Sequence, residues 1–202
     1  MVVNMKRSEV DRSKLSPMMQ QYMDIKDQYE DCIVFFRLGD FYEMFFDDAI
    51  LTSRILELTL TGKQAGLDER VPMCGIPHHA YVPYVDDLID KGYKVAICEQ
   101  MEDPKETKGM VKREVVQVIT KGTRIDSNMD SKSNNFIANI YDFSYCYGVS
   151  YADISTGEVY ATLIEGESDK VIKEILKNNF REVIVNDFSI DTIINNNFSK
   201  II

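Results

Sequence analysis

The stretch Phe35-Phe36-Arg37-Leu38-Gly39-Asp40-Phe41-Tyr42-Glu43-Met44-Phe45-Phe46 decides how this chain of 202 residues is read. It crowds five phenylalanines around a Gly-Asp pair and sets one carboxylate inside an otherwise apolar run. Glycine takes positive φ at little cost and aspartate hydrogen-bonds locally, so Gly39-Asp40 predicts a tight connection between two extended segments. Side chains alternate across a strand, which places Phe41 and Glu43 on one face and Tyr42 and Met44 on the other. A core strand has no need of that glutamate. An exposed aromatic plane beside a hydrogen-bonding carboxylate suits the gripping of a flat, polar-edged object such as a nucleobase. The same residues also admit a plainer reading, with Phe41 as one more core aromatic and Glu43 as a solvated edge acid.

Working outward, Ser16-Pro17 is a helix-start signal, and Met18, Tyr22, Ile25 and Tyr29 then recur at helical spacing. Residues 1–13 are polar and unpatterned, and a disordered arm is expected there. Cys32 to Leu38 is apolar on both faces, the mark of a central strand. On the other side, Asp47-Asp48 brings negative charge to the start of a helix reaching Ile55 or Leu56. Leu58 to Thr61 alternates like a strand that Gly62-Lys63 ends. The glycine and two prolines of Val71 to Ala80 predict an irregular, rigid connection. Such a connection either presents backbone donors and acceptors to a groove or is a structural corner.

Pro83 opens a helix that Gly92 stops, and Tyr93 to Cys98 and Val111 to Ile119 read as strands. The succession predicts a mixed sheet with helices on its faces. Asp126 to Asn135 is polar and turn-rich, the clearest linker in the chain. Strands at Phe136–Tyr141, Tyr145–Ala152 and Glu158–Ile164, a helix around Val171 to Leu176 and a short strand at Val183–Val185 then begin a second α/β domain. The expected fold class is therefore α/β (α+β), with domains over residues 14–124 and 136–202 and a linker over 125–135.

No apolar run approaches the roughly 18 to 20 residues that span a bilayer, and MVVNMKRSEVDRSK is not an apolar leader; a cytoplasmic protein without membrane contact is expected. Cys32, Cys74, Cys98 and Cys146 form no C-x-x-C pair and read as reduced core residues. Cys74 with His78 and His79 lacks a second pair of ligands for a metal, and the phosphate-loop spacing is absent around Gly62-Lys63 and elsewhere. The net charge of −10 argues at first against a nucleic-acid partner. Its distribution matters more than its sum: residues 103–124 carry Lys105, Lys108, Lys112, Arg113, Lys121 and Arg124 against Asp103, Glu106 and Glu114. That window fits a phosphate backbone and a salt-bridged surface loop equally well.

The string RLGDFYEMF closely resembles the signature near the amino terminus of the MutS family of DNA mismatch-repair proteins. LSPMMQQY, VPMCGIPHHA, YVPYVDDLIDKGYKVAICEQMEDP, KREVVQVITKGT and YADISTGE resemble further blocks of that family in their usual order, from about Leu15 to about Val185. Lys121 departs, standing where the family usually shows proline. The resemblance implies a mismatch-recognition domain followed by a partial connector domain of ribonuclease-H-like topology. It implies that the aromatic matching Phe41 enters the minor groove and stacks on a mispaired or unpaired base, while the glutamate matching Glu43 hydrogen-bonds to that base. The expected DNA-binding set is thus Phe41, Glu43, Met73, Gly75, Pro77, Lys105, Lys108, Lys112 and Arg113.

By the same resemblance the chain looks like a truncated piece with no ATPase region. No enzymatic activity and no cofactor are expected in it, and ATP and magnesium would belong to the missing part of a parent protein. The expected partners are mismatched double-stranded DNA, a second copy of the parent in a homodimer, and a MutL-type repair partner docking through the connector. Two readings from other classes stand beside this one. A ribonuclease-H-like domain can carry metal-binding carboxylates, here Asp142, Asp153 and Glu158, which would make a nuclease; alternatively the second domain is a protein-interaction module only.

Overall fold

The computed structural model describes residues 5–102, 109–124, 135–187 and 194, and the chain divides into two units, Met1–Thr120 and Lys121–Ile202. In the first, Pro17–Gln28 forms α1 and buries Met19, Tyr22, Met23 and Ile25. Cys32–Leu38 (β1) and Phe41–Phe45 (β2) make an antiparallel hairpin closed opposite Leu38 and Phe41, with Gly39 at φ 58 in its turn. Phe46–Ile55 (α2) follows β2 without a loop. Phe46 turns that corner at φ 52, unusual for a bulky residue, and its ring is buried against Tyr22.

Thr61–Lys63 (β3), Val71–Pro77 (β4), Val82–Asp90 (α3), Lys94–Gln100 (β5) and Arg113–Ile119 (β6) complete the unit. The six strands lie in the order β3-β4-β2-β1-β5-β6, with β1 and β5 parallel and the other neighbours antiparallel. β1 is central, as its two-faced apolarity predicts. Cys32, Val34 and Phe36, joined by Phe45, face a core with α1; Ile33 and Phe35, joined by Tyr42 and Met44, face a second core with Ala49 of α2 and Val85, Leu88 and Ile89 of α3. Burial raises the thiol of Cys32 to about 11 and those of Cys74 and Cys98 to about 12, which suits cysteines acting as small hydrophobes.

Three local expectations need correction. Val71 to Pro77 is a strand, not an irregular connection: Val71 and Met73 serve one core while Cys74 and Ile76 serve the other. Its prolines occupy the second and last positions, where a missing N–H disturbs the ladder least. The strand expected over Leu58 to Thr61 begins only at Thr61 and takes in Gly62 and Lys63, while Leu58 and Leu60 pack from outside the sheet. Residues 5–13, expected as part of a disordered arm, instead enter two 3-10 turns, Arg7–Glu9 and Arg12–Lys14. Arg7 pairs with Asp27 and Glu30, Arg12 pairs with Asp27, and Met5 and Val10 pack on the core beside α1.

One polar group sits deep between these layers. Lys26 Nζ of α1 lies 2.9 Å from Asp48 Oδ1 of α2, each side chain only 8% exposed. The ammonium also donates to the carbonyls of Cys32 and Glu30, and Asp48 Oδ2 accepts from the Val34 amide and the Tyr22 hydroxyl. The pair therefore joins α1, β1 and α2 through groups whose burial without partners would cost several kcal/mol each, of order ~3–5 for a broken buried pair.

The second unit contains Phe136–Asp142 (β7), Cys146–Asp153 (β8), Glu158–Glu165 (β9), Ser168–Asn178 (α4) and Glu182–Val185 (β10). Its sheet runs β10-β7-β8-β9, with β10 parallel to β7 and the remaining pairs antiparallel. Phe136, Ala138, Ile140 and Val149 pack on Val171 and Ile175 of α4, with Phe180, Val183 and Ile194. The opposite side of the sheet carries Tyr141, Leu163 and Ile184 exposed. Most of the linker expected over 125–135 lies outside the described residues; Asn135, at its end, is buried and donates to the carbonyls of Gly122 and Arg124. No helix among the described residues is long and apolar enough to cross a membrane.

Candidate functional site

The β1–β2 hairpin and β4 place the sequence-predicted residues together. Phe41 stands directly opposite Pro77 on β4, Glu43 opposite Gly75, and Phe45 opposite Met73. Alternation then puts Phe41, Glu43, Met73, Gly75 and Pro77 on the same side of the sheet. Along that side burial grades steeply: Phe45 is fully buried, Glu43 is half-buried, and Phe41 at the hairpin tip is 47% exposed. The ring of Phe41 is thus turned out of the core that its four neighbouring phenylalanines fill.

Gly75 matters for its missing side chain. A Cβ there would stand 3.2 Å from the Tyr42 carbonyl oxygen and 3.4 Å from Glu43 Cγ. The glutamate side chain lies over this bare backbone and meets Lys63 of β3, whose Nζ donates to Glu43 Oε2 at 2.6 Å. The same ammonium is 6.0 Å above the Phe45 ring. Among the described residues none donates to Glu43 Oε1.

The tip is braced from the other side of the sheet. His78 donates to the Asp40 carbonyl from its backbone N–H at 2.9 Å and from ring Nδ1 at 3.0 Å. Arg37 donates to the Gly39 carbonyl and to Glu99, and stacks over Tyr42. The Tyr42 hydroxyl also donates to Glu99; burial, and then that carboxylate, raise its pKa well above the ordinary phenol value. Turn, strand and neighbouring loop are therefore fixed to one another immediately beside Phe41.

The basic residues are not part of this cluster. Lys105 and Lys108 lie outside the described residues. Lys112 is on the surface, its Nζ 2.5 Å from Glu114, a pairing that raises its pKa. Arg113, expected as a phosphate ligand, is turned inward: it donates to the Arg37 and Val111 carbonyls and to Gln21 Oε1, and stacks 5.1 Å over Phe36. Only 8% exposed, it holds β6 to the hairpin and to α1 instead. Among the described residues the cation that does join the cluster is Lys63, on which the sequence offers no sign because Gly62-Lys63 carries no phosphate-loop spacing. Its signal is the register of β3 on β4, which no local pattern encodes.

The carboxylates of the nuclease reading do not converge. Asp153 and Glu158 face each other across the β8–β9 turn, while Asp142 sits at the far end of β7. Asp153 is spent as a turn former, accepting from the amides of Asn135, Ser155 and Thr156 and from the Ser155 hydroxyl. Those hydrogen bonds, Ser155's first, hold its pKa below the ordinary value. Cys74 contacts the Ala49 carbonyl in the core whereas the His78 ring is bonded to Asp40, so these two do not share a site.

A half-buried carboxylate and an exposed ring side by side on one sheet face define the class: an α/β chain of two units that carries an aromatic and an acid at the tip of a hairpin in its first unit. The particular family is given by comparison with known proteins. Residues 16–128 match MutS domain I and residues 135–199 match MutS domain II, and the chain belongs to the MutS family. It is 54% identical over 177 residues to the DNA mismatch repair protein MutS of Listeria welshimeri, covering 87% of this chain and 21% of that protein. The corresponding protein of Clostridioides difficile is 53% identical over 180 residues, 89% of this chain and 19% of the relative. That of Staphylococcus haemolyticus is 57% identical over 175 residues, 86% and 20%. The chain spans about a fifth of the length of these curated relatives.

Proposed function

We propose that this chain forms the mismatch-reading end of a DNA mismatch-repair protein, in which Phe41 wedges into the minor groove at a mispaired or unpaired base and Glu43 hydrogen-bonds to that base. The observation that carries the reading is the exposure of Phe41 beside Glu43 at the tip of a braced hairpin. Wedging a ring into a duplex requires unstacking that costs a few kcal/mol, least where pairing is already defective. Discrimination then comes from the deformability of the DNA and not from a base code, which suits a reader of many mismatches. Met73, Gly75 and Pro77 form the floor beside the wedge, and Lys112, with Lys105 and Lys108, supplies phosphate contacts. Arg113 has no part in this, because its guanidinium is committed inside the fold.

The longer protein would supply the ATPase with its ATP and magnesium, the homodimer, and a MutL-type partner. A contribution of the second unit to protein docking is favoured by the sheet side on which Tyr141, Leu163 and Ile184 are exposed. The test of the reading is Phe41→Ala in the intact protein that carries this chain, titrated by fluorescence anisotropy against a duplex with one unpaired base and against its fully paired counterpart. Base–aromatic stacking is worth about 1–3 kcal/mol, so preference for the defective duplex should fall by roughly 5- to 150-fold. Undiminished preference excludes the wedge.

A further inference from the structure

We propose that Lys63 is the positioning residue for Glu43: it fixes the carboxylate across β4 so that one oxygen is held and the other faces incoming DNA as an acceptor. This rests on the reading of Glu43 as the residue that touches the base. The geometry gives the reason. Glu43 and Lys63 are on strands separated by β4, and their side chains meet at 2.6 Å; Glu43 stands opposite Gly75, where a Cβ would be 3.4 Å from its Cγ, so the bare glycine leaves the glutamate room. The Lys63 side chain is 28% exposed and that of Glu43 15%, so the pair is screened by little water. Its ammonium also lies over the buried Phe45 ring, which anchors the lysine from beneath.

Two consequences follow for a carboxylate that must approach a polyanion. An unpaired glutamate has several rotamers and repels nearby phosphates; ordering it and offsetting its charge in advance lowers the cost of binding. With Oε2 taken by Lys63, Oε1 is the oxygen to which no described residue donates. It can accept only where a base presents a donor. Lys63 thereby tunes which duplexes Glu43 accepts, without itself touching the base.

The test is a double-mutant cycle in the intact protein. Lys63→Met, Glu43→Ala and the double variant are titrated by anisotropy against heteroduplex and homoduplex, with Lys63→Arg as the conservative control and Phe41→Ala as the control for the reading itself. Hydrogen bonds to charged groups carry enough energy that Lys63→Met should lower the heteroduplex-to-homoduplex preference roughly tenfold. Lys63→Arg should restore it, and Lys63→Met should change nothing further once residue 43 is alanine. Weakening of both duplexes alike by Lys63→Met, with or without Glu43, would make Lys63 a phosphate contact and overturn the proposal while leaving the base-reading role of Phe41 and Glu43 standing. If instead Phe41→Ala and Glu43→Ala both keep full preference, the reading beneath the proposal fails and the proposal goes with it. Thermal melts of each variant separate loss of fold from loss of reading.

Discussion

Removing the charge of Lys26 should destabilise the first unit far more than any surface lysine would. In Lys26→Met the hydrophobic stem is kept, but Asp48 loses its ion-pair partner in a site where each side chain is 8% exposed. Breaking a buried pair from one side costs ~3–5 kcal/mol, and the remaining bonds from Val34 and Tyr22 to Asp48 argue for the lower end, about 3 kcal/mol. The dependence on pH is the more searching part. Burial, the largest influence, already raises the Asp48 carboxyl above its ordinary 3.8, with the Lys26 charge opposing it most strongly. A carboxyl with a raised native pKa contributes stability that is complete below the unfolded value, 3.8, and lost as pH climbs through the native one. Taking away Lys26 lifts the native value further and widens that window upward. The deficit relative to wild type should therefore be smaller near pH 4 than at pH 7. Urea titrations followed by far-ultraviolet circular dichroism at the two pH values measure it. A loss under ~1 kcal/mol at pH 7, where surface pairs typically fall, or an equal loss at both pH values would refute the reasoning. Lys26→Met with Asp48→Leu should recover much of the deficit, since apolar replacement of both partners removes the stranded charge.

Two further outcomes follow from the geometry. In Gly75→Ala the added methyl meets Tyr42 O at 3.2 Å and Glu43 Cγ at 3.4 Å, so the glutamate should be pushed off Lys63; mismatch preference in a duplex competition assay should fall roughly tenfold, as expected for losing a charged hydrogen bond, with the fold retained. In Asp153→Ala the β8–β9 turn loses its acceptor, and the second unit should lose about 2 kcal/mol in urea. Because Ser155 and the turn amides depress that carboxyl below 3.8, its contribution is present above that value and should vanish as pH falls through the native one, which an acid titration of wild type against variant would show.

The hairpin, the central strand and α1 were legible because each is written in consecutive residues: Gly39-Asp40 names its turn, Cys32 to Leu38 its two-sided burial, Ser16-Pro17 its start. The strand Val71–Pro77 was not, since its prolines and Gly75 read as loop residues. They are tolerable there because of pairing with β2 and β3, a fact about strands distant in sequence. The same holds for the site. Phe41 and Glu43 announce themselves by their spacing of two, and the resemblance to the MutS family drew in Met73, Gly75 and Pro77. Lys63 and the inward turn of Arg113 depend on which strands become neighbours: β3 two places from β2, and β6 at the far edge beyond β5. Charge counting alone gave Arg113 the surface role that belongs to no part of its actual surroundings.

The arrangement around Phe41 bears on how a chain of net charge −10 could read DNA at all. A wedge separates sound from defective base pairs only if the protein yields less than the duplex does. If the tip could retreat, a well-stacked site would simply push the ring aside, and the few kcal/mol that distinguish the two duplexes would be absorbed by the protein. Here the ring is borne on a strand and not on a loop, its turn is tied to His78 and Arg37, and Arg37 and Tyr42 share Glu99 beneath it. The bonds to Glu99 are partly buried, and those of His78 and Arg37 to the turn carbonyls lie at the surface. On the proposed reading, stiffness takes the place that electrostatic attraction holds in most DNA-binding surfaces. On that same reading, phosphate contacts away from the hairpin would set how long the duplex stays, and the braced hairpin would set which duplex deforms.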